Sequence, residues 1–152
     1  MKHLLVVYHS QTGNTRALAE SIYRGALAHA EGVETRMLRA FDARLEDLLW
    51  ANAVAFGTPE NFGYMSGALK DFFDRTYKEA REQTVGVPYA VFISAENDGT
   101  GAVFNIDRIV RGYSMKQVSE PLITRGEINE SELQRAEELG QTLAAALELG
   151  IF

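Results

Sequence analysis

The 152-residue chain contains no cysteine. Disulfides, thiolate metal centres and cysteine nucleophiles are therefore excluded. Histidine is scarce too. His3, His9 and His29 stand far apart, without the ligand spacing a zinc site needs. Cations are outnumbered, 15 Lys and Arg against 21 Asp and Glu, for a net charge of −6. A nucleic-acid backbone demands clustered cations, so DNA and RNA are not expected partners. No run of about 18 apolar residues occurs, and no leader-like segment precedes the first apolar stretch. The expectation is a chain without a membrane span that works in the cytoplasm. There is no Gly-x-x-x-x-Gly-Lys-Ser/Thr loop for a magnesium–triphosphate and no Gly-x-Gly-x-x-Gly dinucleotide fingerprint. In bulk the chain is ordinary, with 46% hydrophobic and 24% charged residues. One domain with a proper core is expected over 1–152.

The informative stretch comes early. Leu4 to Tyr8 is a near-continuous apolar run, as a strand buried on both faces requires. Arg16 to Ile22 reads as a helix. Between them lie His9, Ser10, Gln11, Thr12, Gly13, Asn14 and Thr15. A turn that opens a helix faces unpaired backbone N–H groups and the positive end of the dipole. Such a turn binds anions. Ser10, Thr12 and Thr15 add hydroxyls, Gly13 permits close approach or a positive φ, and Asn14 tolerates unusual dihedrals. With no lysine present, a phosphate monoester held by neutral donors fits best. The plainer alternative is a helix cap and nothing more.

Ser10-Gln11-Thr12-Gly13-Asn14-Thr15 resembles the phosphate-binding loop of the flavodoxin-like family, Ser/Thr-x-Thr-Gly-x-Thr. The resemblance implies that this loop holds the phosphate of FMN. A second block, Gly57 through Arg75, is similar to the loop and helix after strand three in the FMN-reductase and quinone-reductase branches. There the loop backbone contacts the flavin ring, and an aromatic lies near it. The corresponding residues here are Pro59, Glu60, Asn61, Phe62, Gly63 and Tyr64.

The rest of the chain alternates apolar runs with helical periodicity, the mark of a parallel α/β sheet. A first helix is expected over 15–30, with Gly32 ending it and His29 compensating its dipole. Val33 to Leu38 alternates and suits a sheet edge. A short helix follows over 45–50, with Trp50 packing on the sheet. Ala53 to Phe56 and Tyr89 to Ser94 read as buried strands. Ser66 caps a helix that buries Leu69, Phe72, Phe73 and Thr76. Glu96, Asn97, Asp98 and Gly99 begin a third loop. The next helix carries its apolar stripe on Ile106, Ile109, Val110 and Tyr113. A fifth strand is expected over 117–123, an edge because Pro121 lies inside it. The last helix has Asn129 and Glu132 as a capping box, buries Leu133, Ala136, Leu139, Leu143 and Leu147, and stops at Gly150.

Edges at strands two and five match the flavodoxin-like order 2-1-3-4-5, a three-layer, doubly wound, five-stranded parallel α/β sheet. That order gathers the loops after strands one, three and four at one crevice. The expected cofactor is FMN rather than FAD. No acid–base residue is required, because a flavin carries its own redox chemistry. Two functions compete. One is an enzyme moving hydride from NAD(P)H through FMN to a quinone or other small acceptor. The other is an electron-carrier flavodoxin serving redox partner proteins. Carriers of the family cover both flavin faces with aromatics from the second and third loops, and here 96–101 has none. The resemblance also suggests a homo-oligomer.

Overall fold

Leu4 to Tyr8 of strand β1 (Lys2–Tyr8) are all buried. Helices cover both faces of this strand in the computed structural model, which describes residues 1–152. Its neighbours are β2 (Val33–Arg39) and β3 (Ala53–Pro59), and β4 (Pro88–Ala95) lies beyond β3. All pairings are parallel. The fifth position differs from the single strand expected over 117–123. It is split into β5 (Lys116–Gln117), paired to the start of β4, and β6 (Leu122–Arg125), paired to its end. Pro121 lies in the gap, where its missing N–H breaks no ladder. The order is thus 2-1-3-4-5 with a broken fifth strand. As expected of an edge, β2 buries only Val33.

The strands alternate their side chains between two cores. Leu5, Val7, Val54 and Phe56 meet α3 (Gly67–Ala80) and α4 (Thr100–Gly112) through Phe72, Phe73, Ile106 and Val110. Leu4, Val6 and Tyr8 meet α1 (Asn14–Ala26) and α5 (Glu130–Leu149) through Leu18, Ile22, Leu143 and Leu147. The short helix α2 spans Leu45–Trp50. Trp50 is half-buried, stacked on His3 at 4.2 Å between centroids, with the Arg36 guanidinium 3.8 Å over its ring.

Two local expectations need correction. The first helix ends at Ala26, followed by a 3₁₀ turn over Leu27–His29, and His29 Nδ1 pairs with the Glu148 carboxylate at 3.2 Å. On α5, Leu133 and Leu139 are only partly buried, while Gly140 and Ala144 are fully buried. The cause is a close helix crossing. A Cβ on Gly140 would lie 1.9 Å from the Ile22 carbonyl oxygen, and one on Gly25 would lie 2.0 Å from that of Glu137. The chain takes opposite sides of the sheet after β1 and β3, so a crevice opens between their C-terminal ends.

Candidate cofactor site

Loop 1 (residues 9–13) ends on Gly13, which takes φ 103° as the N-cap of α1. That left-handed conformation favours glycine. Nothing lies within 4 Å of where its Cβ would stand, so a ligand can reach the backbone. No side chain caps the helix. Gly13 N–H donates to Ser10 Oγ at 3.1 Å. The N–H groups of Thr12, Asn14, Thr15 and Arg16 find no acceptor within the chain. These donors form an anion cradle. Thr15 plays another part in it. Its side chain is 1% exposed, and its hydroxyl shares a 2.7 Å hydrogen bond with Ser94 Oγ at the end of β4.

Loop 2 is a tight hairpin. Asn61 and Tyr64 exchange backbone hydrogen bonds of 2.8 and 2.9 Å, and Phe62 and Gly63 at its tip have φ of 55° and 72°. Positive φ at both central positions is the turn that matches strand twist. Phe62 is therefore held fully exposed, with its ring in solvent. Tyr64 instead lines a groove of about 590 Å³ between α3 and α4, together with Lys70, Phe73 and Tyr77. Thr58 Oγ1 accepts the Ser66 N–H at 2.9 Å, and Ser66 Oγ accepts the Leu69 N–H at 3.3 Å as the cap of α3.

Glu60 ties loop 2 to loop 3. One carboxylate oxygen accepts the Gly99 N–H and the other the Ala102 N–H, both at 3.2 Å. Its own N–H donates to the Ser94 carbonyl at 2.9 Å. The charge stands at the N-terminus of α4, where the dipole favours an anion. The loops approach so closely at this point that a Cβ on Gly101 would lie 2.2 Å from the Gly63 carbonyl oxygen. Asp98 Oδ1 accepts both the backbone N–H and the hydroxyl of Thr100, which lower its pKa in that order of importance. Glu96, Asn97 and Asp98 are exposed, and Gly99 is the buried N-cap of α4 with φ 77°.

The three loops enclose a narrow crevice of about 110 Å³, lined by Gln11, Thr12 and Asn14 on one side and Pro59, Glu60 and Asn61 on another. Ser94, Ala95 and Glu96 close it. Ser94 and Ala95 were not among the expected site residues: Ser94 reads as the buried end of a strand, and Ala95 lies between that strand and the third loop. The α3–α4 groove is larger, but it lacks the free N–H groups of loop 1. Phe62, Gly63 and Tyr64 do not line the crevice, and Ser10 faces the outer side of loop 1. His9 lies at that outer side, with its Nδ1 buried and unpaired. Burial, and then the Arg39 charge, hold its imidazole below the usual histidine range.

An open parallel sheet with an anion cradle at its switch point defines a mononucleotide-binding α/β protein. The family model for flavodoxin matches residues 6–140. The chain belongs to the flavodoxin family, whose cofactor is FMN. It is 37% identical to a flavodoxin of Aquifex aeolicus over 66% of this chain and 54% of that protein. It is 32% identical to an NAD(P)H dehydrogenase (quinone) of Archaeoglobus fulgidus over 63% of each. The matches thus span a little more than half of these relatives' own length. A solved flavodoxin from the domain Archaea superposes with a TM-score of 0.82 at 26% identity, covering 96% of this chain and 99% of that one. The donor set suits the cofactor. A phosphate monoester dianion is a hydrogen-bond acceptor, and loop 1 offers it unpaired N–H groups and hydroxyls. No helix is long and apolar enough to cross a membrane.

Proposed function

We propose that this chain is an FMN-dependent oxidoreductase that takes hydride from NAD(P)H and delivers reducing equivalents to a quinone or other small acceptor. Residues 1–152 act as one FMN-binding unit in this reading. FMN, when bound, supplies the redox chemistry. The residues of the chain bind and orient it. The N–H groups of Asn14, Thr15 and Arg16 and the hydroxyl of Thr12 take the phosphate. The Pro59–Asn61 backbone and the Phe62 tip take one side of the ring system. The Glu60 carboxylate holds loop 3 in place by accepting the Gly99 and Ala102 N–H groups.

The observation that carries this reading is loop 3. Glu96, Asn97 and Asp98 are exposed and none is aromatic. Nothing there covers a second flavin face, so a nicotinamide has room to stack at the short distance hydride transfer needs. The quinone dehydrogenase relative supports it. A second reading, an electron carrier working with partner proteins, is favoured by the flavodoxin relative. Mixing FMN-loaded protein with NADH or NADPH without air separates them. An enzyme loses its flavin colour with the nicotinamide alone and regains it on addition of a quinone. A carrier stays coloured and accepts single electrons only from a reductase protein. Asn97→Trp should slow the bleaching more than it weakens FMN binding. Asn97 suits this test better than its neighbours, because the Asp98 carboxylate holds the Thr100 N–H and hydroxyl and a Cβ on Gly99 would lie 2.7 Å from Ile123.

A further inference from the structure

A second concavity lies on the outer side of loop 1. It measures about 180 Å³ and is lined by Tyr8, His9, Ser10, Arg16, Arg39 and Phe41. The sequence scatters these residues, and the fold gathers them. Tyr8 is the register partner of Arg39 across β1 and β2, and Arg16 stands in the first turn of α1. The pocket is rich in unused donors. Arg16 binds Glu20 through Nε alone, which leaves both terminal amino groups. Arg39 gives Nε and Nη2 to Asp42 and keeps Nη1. The Ser10 hydroxyl accepts from Gly13 and retains its proton, and the Tyr8 hydroxyl has no partner in the chain. No carboxylate lines the cavity. Both arginine ion pairs are exposed, so turning a guanidinium toward a ligand costs little. Phe41 is 60% exposed and offers a flat apolar wall, edge-on to His9 at 5.9 Å.

Paired guanidinium forks beside an open aromatic ring suit a phosphate attached to a planar base. We propose that this pocket holds the 2′-phosphate and adenine of NADPH and thereby selects NADPH over NADH. The proposal rests on the nicotinamide reading above. Loop 1 lines both sites, with Ser10 facing this pocket and Gln11, Thr12 and Asn14 facing the cofactor crevice.

The test uses FMN-loaded protein and two probes that cannot donate hydride, 2′,5′-ADP and 5′-AMP. Calorimetry should show 2′,5′-ADP binding about tenfold or more tightly than 5′-AMP, the value of one charge-assisted hydrogen bond. The Phe41 and Arg39 amide resonances should move with the same affinity. Arg39→Gln, an exposed change at a sheet edge, should abolish the preference while FMN affinity stays the same. Equal binding of the two probes, an inert Arg39→Gln, or displacement of FMN by 2′,5′-ADP would overturn the proposal. The two readings fail separately. Preferential 2′,5′-ADP binding lost in Arg39→Gln supports the subsite even if NADPH leaves the flavin coloured, which would sink only the hydride reading. Equal bleaching by NADPH and NADH without 2′,5′-ADP binding overturns the subsite and leaves the hydride reading standing.

Discussion

On the crevice side of loop 1 the donors are backbone N–H groups fixed by α1, and the facing loops are pinned together by Glu60. On the outer side the donors are the ends of Arg16 and Arg39, exposed side chains on separate elements. Backbone donors lose no side-chain entropy when a ligand arrives, whereas an arginine surrenders rotamer freedom each time. The first construction suits a resident cofactor. The second suits a ligand that comes and goes, and its preference can change by one substitution.

The largest effect expected of breaking this contrast comes from the pin. Glu60→Ala leaves the Gly99 and Ala102 N–H groups without an acceptor, at a cost on the order of 1.5–3 kcal/mol for each charge-assisted bond. Thermal unfolding should show a lower midpoint, FMN affinity should fall, and Glu60→Gln should restore part of both. Nothing comparable should follow from Arg39→Gln on the outer side.

The two threonines of loop 1 give the next effect and divide it. Thr15→Val leaves the buried Ser94 hydroxyl unpaired, so the fold should lose about 1–3 kcal/mol in a denaturant titration. Thr12→Val lies on the exposed loop. It should leave unfolding unchanged and weaken FMN binding about tenfold, measured by flavin fluorescence. If Thr15→Val weakens FMN binding without touching stability, the assignment of the two hydroxyls is reversed.

The smallest effect is in pH. His9 in the folded chain has a pKa below the ordinary 6.5, through burial first and Arg39 second. The unfolded chain therefore takes up its proton first as pH falls. The stability His9 contributes is complete above pH 6.5 and is lost as pH drops from there through the folded value. His9→Gln should flatten that part of the stability profile. A profile as steep as before would assign the slope to other groups.

How far the sequence could be read follows the same division. Loop 1 was legible because a buried strand, a hydroxyl-rich turn and a helix are adjacent in the chain. The parallel sheet was legible in the alternation of apolar runs and helices; its strand order came with the family resemblance, which the alternating β2 and the edge-marking Pro121 match. What depends on distant pairs was not. Glu60 reads as one more polar residue of loop 2 until α4 arrives beneath it. Thr15 reads as a ligand until Ser94 claims its hydroxyl. Gly25 and Gly140 carry no signal in the sequence, and the close α1–α5 crossing explains them. Arg16 and Arg39 look unclustered until the β1–β2 register sets Arg39 beside Tyr8. The break in the fifth strand lies between these cases, since Pro121 was visible but its effect on pairing with β4 was not.

The most direct test of the account is an amide-resolved NMR titration of the protein with FMN. The Thr12, Asn14, Thr15 and Arg16 N–H resonances should move together, saturate at one equivalent and shift in the direction of stronger hydrogen bonding. The Arg39 and Phe41 amides should remain near their starting positions until an adenine nucleotide is added. Large shifts at Arg39 and Phe41 on FMN alone, with the first turn of α1 unmoved, would contradict the assignment of the crevice as the cofactor site.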